Sequence, residues 1–342
     1  VPKTVSGLWE KVVSFESLYH AYLAARKGKK RSADVLRYGD NLEENIINTQ
    51  NLLVHHIWRP GRWREFWVYE PKKRRICAPP FGDRVVHHAL VSAIEPCFER
   101  RFIYDSYACR AGKGTHAAHR RLMRFIRAAR RKWGKFYVLQ TDISAYFPSI
   151  RHDLLFDSIG RSISDPDVTW LIQCIVKDSG FTGRGLPIGA LTSQLFANVF
   201  LDKLDHHIKD DLGEQYYVRY MDDTVTISPS KEHLQEMEAY IGEFLGRELD
   251  LRLNPKTKVY PAVRGVDFCG YRCWATHALP RKRNMRRIQR RLRKMAKLYS
   301  RGEIELSQVQ PVVASYLGYM QHCNGHKTVS RFLGDLVFER RQ

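Results

Sequence analysis

Glu214-Gln-Tyr-Tyr-Val-Arg-Tyr-Met-Asp-Asp-Thr-Val-Thr-Ile-Ser228 is the stretch whose reading decides the fold. Tyr216, Tyr217, Val218 and Tyr220 precede the acidic pair, and Thr224, Val225, Thr226 and Ile227 follow it. These are the β-branched and aromatic residues that favour strands. The pair Met221-Asp222 or Asp222-Asp223 stands where a tight hairpin turns. Two adjacent carboxylates at a hairpin tip repel each other unless cations neutralise them. A solvated acidic turn is the plainer reading of the same residues.

A second carboxylate has a matching setting. Phe136-Tyr-Val-Leu-Gln-Thr-Asp142-Ile-Ser-Ala-Tyr-Phe147 reads as an apolar, aromatic strand ending at Asp142. Laid side by side, the two strands let Asp142 and Asp222 chelate the same divalent ions. Hard oxygen ligands suit Mg2+, which keeps waters and takes its remaining ligands from substrate phosphates. Two such ions about 3.5–4 Å apart clamp the attacking and leaving oxygens of an in-line phosphoryl transfer. Asp142 with its aromatic pair, and Tyr220-Met221-Asp222-Asp223 about eighty residues later, resemble motifs A and C of reverse transcriptases.

Composition points to a polyanionic partner. Of 342 residues, 57 are Lys or Arg against 36 Asp or Glu, a net charge of +21 that suits nucleic acid or an anionic membrane surface. The length allows two or three subdomains. No apolar run of about 18 residues exists to span a bilayer, and no secretory signal opens the chain, which is numbered from Val1. Seven cysteines are scattered and never form Cys-x-x-Cys, so buried free thiols in a reducing cytosol are expected rather than a disulfide framework or zinc site. The histidine pairs at 55–56, 87–88 and 206–207 read as surface or helix-face residues, because adjacent side chains diverge.

Periodicity predicts two helices within 8–58, separated by the basic Lys27–Arg31 and the second running through Leu42, Ile46, Ile47 and Leu53, then a strand over Glu65–Pro71 and a basic hairpin arm at Lys72–Arg75. Further helices are expected over 83–95, from Thr115, over 152–162, from an Asp165 N-cap to Val176, over 195–205 and over 232–249. Leu251–Tyr260 and Val266–Trp274 read as short β segments. From Arg281 to Arg301 there are eleven Lys or Arg and no acid, with Met285, Ile288, Leu292, Met295 and Tyr299 as a narrow apolar stripe. A calmodulin target or membrane-surface helix looks similar; a helix laid along a nucleic-acid backbone fits the rest of the chain better.

The reverse-transcriptase resemblance covers nearly the whole chain and implies an α+β right-hand polymerase fold: N-terminal extension and fingers over 1–135, a palm with an antiparallel sheet over 136–275 carrying a fingers insertion near 152–185, and a helical basic thumb over 276–342. It implies that Asp142, Asp222 and Asp223, with the Ile143 backbone, hold two Mg2+ ions (Mn2+ as the alternative). Phe147 would exclude a 2′-hydroxyl. Arg74, Arg75 and Arg110 match positions that hold the triphosphate or pack near the nascent pair, work that suits a planar donor. Lys256, in Asn254-Pro-Lys-Thr257, matches the lysine held to protonate the leaving pyrophosphate. Phe268-Cys-Gly270-Tyr271 looks like the primer grip, and Arg283, Arg287, Arg290, Arg291 and Lys294 would hold the nucleic-acid backbone.

Motif B narrows the resemblance. Where most group II intron and retron-type enzymes carry Gln-Gly-x-x-x-Ser-Pro, this chain has Ile188-Gly189-Ala-Leu-Thr-Ser193-Gln194, a form similar to that of diversity-generating retroelements. Ser315–Asn324 and Asp83-Arg-Val-Val-His fit that group too. The resemblance therefore implies an RNA-directed DNA polymerase copying a structured template RNA from deoxynucleoside triphosphates, with low fidelity at template adenines. A small accessory protein and a bacterial or phage-encoded cytoplasmic setting go with it, and no membrane. An antiphage reverse transcriptase and a non-catalytic RNA-binding maturase or chaperone are the competing expectations.

Overall fold

Strands and helices alternate irregularly along the chain, and this computed structural model describes residues 4–69, 73–178 and 180–340. Four helices come first: α1 (Trp9–Val13), α2 (Phe15–Ala25), α3 (Ala33–Asp40) and α4 (Leu42–Val54). The hairpin β1 (Arg64–Val68) and β2 (Arg74–Ala78) leads to α5 (Phe81–Glu99) and α6 (Thr115–Trp133). After β3 (Tyr137–Thr141) come α7 (Tyr146–Ser149), α8 (His152–Gly160), α9 (Pro166–Lys177) and α10 (Leu191–His206). Next are β4 (Tyr217–Tyr220), β5 (Asp223–Ser228), α11 (Lys231–Leu249), β6 (Lys258–Pro261), β7 (Val266–Phe268), β8 (Tyr271–Cys273) and β9 (Ala278–Pro280). The helices α12 (Lys282–Ser300), α13 (Leu306–Met320) and α14 (His326–Gly334) complete the order.

The elements fall into two compact units. The first comprises Val1–Arg110, Asp142–Gln215 and Ala239–Lys256. Its centre is α5, buried on several sides through Val85, Val86, Leu90, Ile94 and Phe98, against which α1, α2 and α10 pack. Asp165 caps two helices at once. Its carboxylate accepts from Val168 N at the start of α9 (3.2 Å), and from Leu8 N (2.7 Å) and Trp9 N (3.2 Å) at the start of α1. Satisfying orphan amides this way fixes where both helices begin.

The second unit comprises Ala111–Thr141, Tyr216–Glu238 and Thr257–Gln342. It holds an antiparallel sheet of order β4-β5-β3-β6 and a smaller sheet of order β7-β8-β9. Helix α6 lies on β4 and β5 through Leu122, Phe125, Ile126 and Ala129, residues at helical spacing. Leu292, Tyr316, Met320 and Phe332 form a separate core among α12, α13 and α14, against which Met285 and Ile288 of the expected stripe pack.

The mixture of helix and antiparallel sheet agrees with expectation, and three local readings are corrected. Residues 8–58 hold four helices, because Ser14 turns the chain and accepts from Ser17 N to cap α2, and because Asn41 breaks it again. Helix α5 runs from Phe81 to Glu99, beyond the expected 83–95 at both ends. Of Leu251–Tyr260 only the end is strand: Asn254 Oδ1 accepts from Lys256 N at 3.0 Å, a side-chain turn around Pro255 that precedes the ladder. Glu70, Pro71 and Lys72 of the expected strand and hairpin arm lie outside the described residues. Among the described residues no helix is long and apolar enough to cross a membrane.

Candidate active site

In the second unit, Tyr220 pairs with Asp223 across β4 and β5, so the two-residue turn is Met221-Asp222. Met221 has φ +56°, and Asp222 has no positive φ. That is the II′ pattern, whose twist suits a hairpin but which puts a non-glycine residue in the left-handed region. Such strain gathers at functional sites. Arg219 braces the turn: its fully buried side chain donates to the Met221 carbonyl at 3.0 Å.

β3 runs antiparallel to β5 with Thr141 opposite Thr224, and their hydroxyls lie 2.5 Å apart in the core. Gln140 Nε2 donates to Asp223 Oδ1 at 3.3 Å and to the Asp267 carbonyl at 2.7 Å, while its Oε1 accepts from the Tyr260 hydroxyl at 3.1 Å. Burial, with Asp267 and Asp223 nearby, raises the Tyr260 hydroxyl well above the usual phenol range, so it remains a donor. Thr141 is the last residue of β3, and the next peptide bond leads to Asp142.

In the first unit, the Asp142 carbonyl accepts from Asn254 N at 2.7 Å, and Ser144 N donates to the Arg252 carbonyl at 2.9 Å. These two bonds flank the antiparallel bridge Ile143–Leu253 without using the Ile143 carbonyl. The Asn254 turn then ties exposed Lys256 to the same segment. Ala145, at φ +45°, swings the chain into α7, where the Tyr146 hydroxyl bonds the Ala197 carbonyl and half-buried Phe147 stands against Tyr146.

Motif B is seated on the β1–β2 hairpin. The Ile188 carbonyl accepts from Cys77 N at 2.9 Å. Gly189 has φ +131°, and a Cβ there would stand 2.7 Å from the Cys77 carbonyl oxygen and 2.9 Å from Ile76 Cγ2. Glycine alone fits this approach. Gly189 and Gln194, with Phe66, Ile76, Arg84 and His88, line a cavity of about 650 Å3.

The three arginines expected to serve the triphosphate stand in different settings. Strand alternation puts Arg74 on the face of Ile76 and Phe66, which borders this cavity. Arg75 lies on the opposite face, ion-paired with Glu65 at 2.5 Å. Arg110 is buried; it grips the Glu99 carboxylate (2.6 and 2.8 Å) and donates to the Ile103 (2.7 Å) and Ser106 (2.8 Å) carbonyls. Its donors are spent inside the protein, where it staples the segment after α5.

The β7–β8 turn is Cys269-Gly270, with φ +48° and +91°, a type I′ pair that leaves Phe268 buried and gives the Gly270 carbonyl to Arg281 N at 2.9 Å. Burial raises the Cys269 thiol far above its usual range. On α12, Arg283, Arg290, Arg291 and Lys294 are exposed and Arg287 is half-buried, opposite the packed stripe.

Among the described residues no three His, Cys, Asp or Glu side chains stand ready as a metal site. Each unit carries hard-oxygen donors of the kind suited to Mg2+: Asp222 and Asp223 at the braced turn of the second, and Asp142, directly after β3, in the first. Carboxylates repel one another until cations gather them, and substrate phosphates complete such sites. Arg219 and Gln140 escaped the motif reading, although a charged or amide side chain amid strand apolars is the signal that could have found them.

A model of the family described as "Reverse transcriptase (RNA-dependent DNA polymerase)" matches residues 69–273. Protein YkfC of Escherichia coli is 27% identical over 275 residues, covering 68% of this chain and 71% of its own. Group II intron-encoded protein LtrA of Lactococcus lactis is 28% identical over 208 residues, covering 57% of this chain and 33% of its own. The chain thus spans most of YkfC but about a third of LtrA. Among solved structures, apo telomerase from Candida tropicalis, truncated from its C-terminal domain, superposes with a TM-score of 0.51 at 13% identity, covering 69% of this chain and 59% of that one, a likeness of fold. With well over half its length matched, this chain belongs to the reverse transcriptase (RNA-dependent DNA polymerase) family.

Proposed function

We propose that the chain is an RNA-directed DNA polymerase of the bacterial retroelement type, with fingers over 1–135, palm over 136–275 and basic thumb over 276–342. The observation that carries this reading is the β3–β5 register. Thr141 faces Thr224, so the chain passes on to Asp142 from the sheet end that bears the Met221-Asp222 turn. Asp142 and Asp222, with Asp223 and the Ile143 carbonyl, would hold two Mg2+ ions. When bound, these stabilise the charge that develops as a primer 3′-hydroxyl displaces pyrophosphate.

The chain's own residues supply the rest. Arg74 is the fingers arginine for the triphosphate, whereas Arg75 and Arg110 act through Glu65 and Glu99 to hold the fingers in shape. Phe147 would exclude a 2′-hydroxyl, and Lys256 would deliver a proton to the leaving pyrophosphate. The Cys269-Gly270 turn would grip the primer, with fully buried Phe268 anchoring it from the core rather than touching nucleic acid as expected, and α12 would follow the backbone of an RNA–DNA hybrid through Arg283, Arg287, Arg290, Arg291 and Lys294. Affinity should then fall steeply with salt.

Ile188 supports the diversity-generating reading: an apolar side chain beside the nascent pair removes a polar restraint and favours errors opposite template adenines. The deciding experiment is primer extension on a defined RNA template with Mg2+ and all four deoxynucleotides, comparing wild type with Asp222→Asn. Extension by the wild type and a loss on the order of a thousandfold in the variant, with RNA binding kept, is expected. Equal extension by both would sink the assignment. Tight RNA binding without product on any template would return the maturase reading. Sequencing the product separates diversification from the faithful or repetitive synthesis of a defence enzyme.

A further inference from the structure

The outer face of α6 has no part in the chemistry above. This nineteen-residue helix carries seven Arg or Lys and no acid. Its apolar residues turn inward on β4 and β5, and Arg120, Arg124, Arg127 and Arg131 recur outward at spacings of four, three and four, all exposed. Among the described residues no ion pair to a carboxylate is made by any of these four. Like charges so spaced repel by about 0.2–0.5 kcal/mol per pair. The helix tolerates a ladder of cations roughly 16 Å long with no carboxylate paired to it among the described residues.

The loop between β8 and β9 borders the ladder. Arg127 Nε donates to the Ala275 carbonyl at 3.4 Å, and Arg124, Arg127, Arg130 and Arg131 line a groove of about 430 Å3 with Ala275 and Thr276. Trp274 and His277 at the base of that loop are stacked on each other, 4.7 Å between ring centroids. Each ring thus gives one face to the other, Arg272 stands over Trp274 at 5.4 Å, and no large apolar residue of α6 is exposed.

We propose that this face of α6 is a docking surface for the sugar–phosphate backbone of base-paired RNA, separate from the polymerase site. Charge complementarity selects a polyanion. A single strand calls for free aromatic platforms between the cations, and here there are none on the ladder. A stable protein interface calls for an apolar centre, which the face also lacks. A straight row of guanidinium groups matches duplex RNA, which is recognised by shape and phosphate contacts. The proposal rests on the reverse-transcriptase reading only in expecting a structured RNA as partner.

The test uses the full chain and a labelled RNA hairpin with a stem of roughly sixteen base pairs, the length a duplex-binding domain covers. Arg124→Gln/Arg127→Gln/Arg131→Gln should weaken hairpin binding by on the order of tenfold or more at physiological salt and cut the logarithmic salt slope by about 2–3. Extension of a short primer on an unstructured template should be unchanged. The matching triple Arg→Lys variant keeps the charge and should retain most binding. Unchanged hairpin affinity and slope in the Gln variant would overturn the proposal, as would an equal loss in the Lys variant or a loss confined to single-stranded RNA. Failure of the wild type to extend any primer would count against the polymerase reading and leave the hairpin measurement standing by itself.

Discussion

Arg219 donates to the carbonyl of Met221 at 3.0 Å from a side chain with no solvent exposure. A buried guanidinium is costly to desolvate unless its donors are met, so the contact couples the interior of the sheet to the strained turn that carries Asp222. Arg219→Met keeps much of the volume and removes the donors. We expect a modest fall in melting temperature and, if Asp222 is the metal ligand proposed above, a loss of primer extension of at least tenfold, since misplacing such a ligand is felt strongly in the rate. Extension at the wild-type rate would show that the turn holds its shape unaided.

Gly189 gives a sharper steric prediction. Gly189→Ala must move either β2 or motif B, because the new Cβ meets the Cys77 carbonyl at 2.7 Å and the backbone sits at φ +131°. Backbone strain of this kind costs about 1–3 kcal/mol. Thermal unfolding should register it, and the Michaelis constant for deoxynucleotides should rise as the Ile188–Cys77 hydrogen bond shifts. Gly160→Ala is the control, with nothing within 4 Å of its added Cβ and no positive φ; it should be neutral.

Much of the candidate site was legible because its signals are local. Strand composition around Asp222 and the run ending at Asp142 predict two strands, and β3 and β5 lie side by side. The Asp165 cap was equally readable, since an N-cap needs only neighbouring amides. The arginines were harder because their roles depend on partners distant in sequence. Which of Arg74 and Arg75 faces the motif B cavity follows from pleat and register, and Arg110 turns inward only because Glu99 closes α5 eleven residues earlier. The α6 ladder stands at plain helical spacing. A net charge of +21 makes basic clusters so common that only the inward packing of the apolar stripe singles this one out.

Asp83 sets a pH dependence. Its carboxylate is buried in the first turn of α5 and accepts from Gly61 N at 2.8 Å. Burial lifts it to about 6, with the Gly61 N–H drawing it partly back. The folded state therefore binds the proton more tightly than the unfolded chain. The stabilisation this provides is complete below the ordinary carboxylate pKa and is lost as pH rises to about 6. Asp83→Asn keeps an acceptor and cannot ionise. Relative to wild type it should gain on the order of 2–3 kcal/mol between about pH 4 and about pH 7.5. Melting temperatures at the two pH values check this, and a constant difference between variant and wild type would refute it.

The proposed diversity-generating role turns on Ile188. Its carbonyl is held by Cys77 N, so its position is set by backbone and does not depend on the identity of its side chain. Ile188→Gln should therefore leave the fold and the seating of Gly189 intact while placing a polar group where the proposed function puts the nascent pair. If apolar contact is the source of error, the variant's cDNA should carry several-fold fewer substitutions opposite template adenines, with errors at the other three bases little changed. A site built to hydrogen-bond its substrate discriminates far more strongly than an apolar one, which gives the expected direction. A fall in extension with the error spectrum unaltered would mean that Ile188 only fills space against β2, and that any infidelity arises elsewhere in the site.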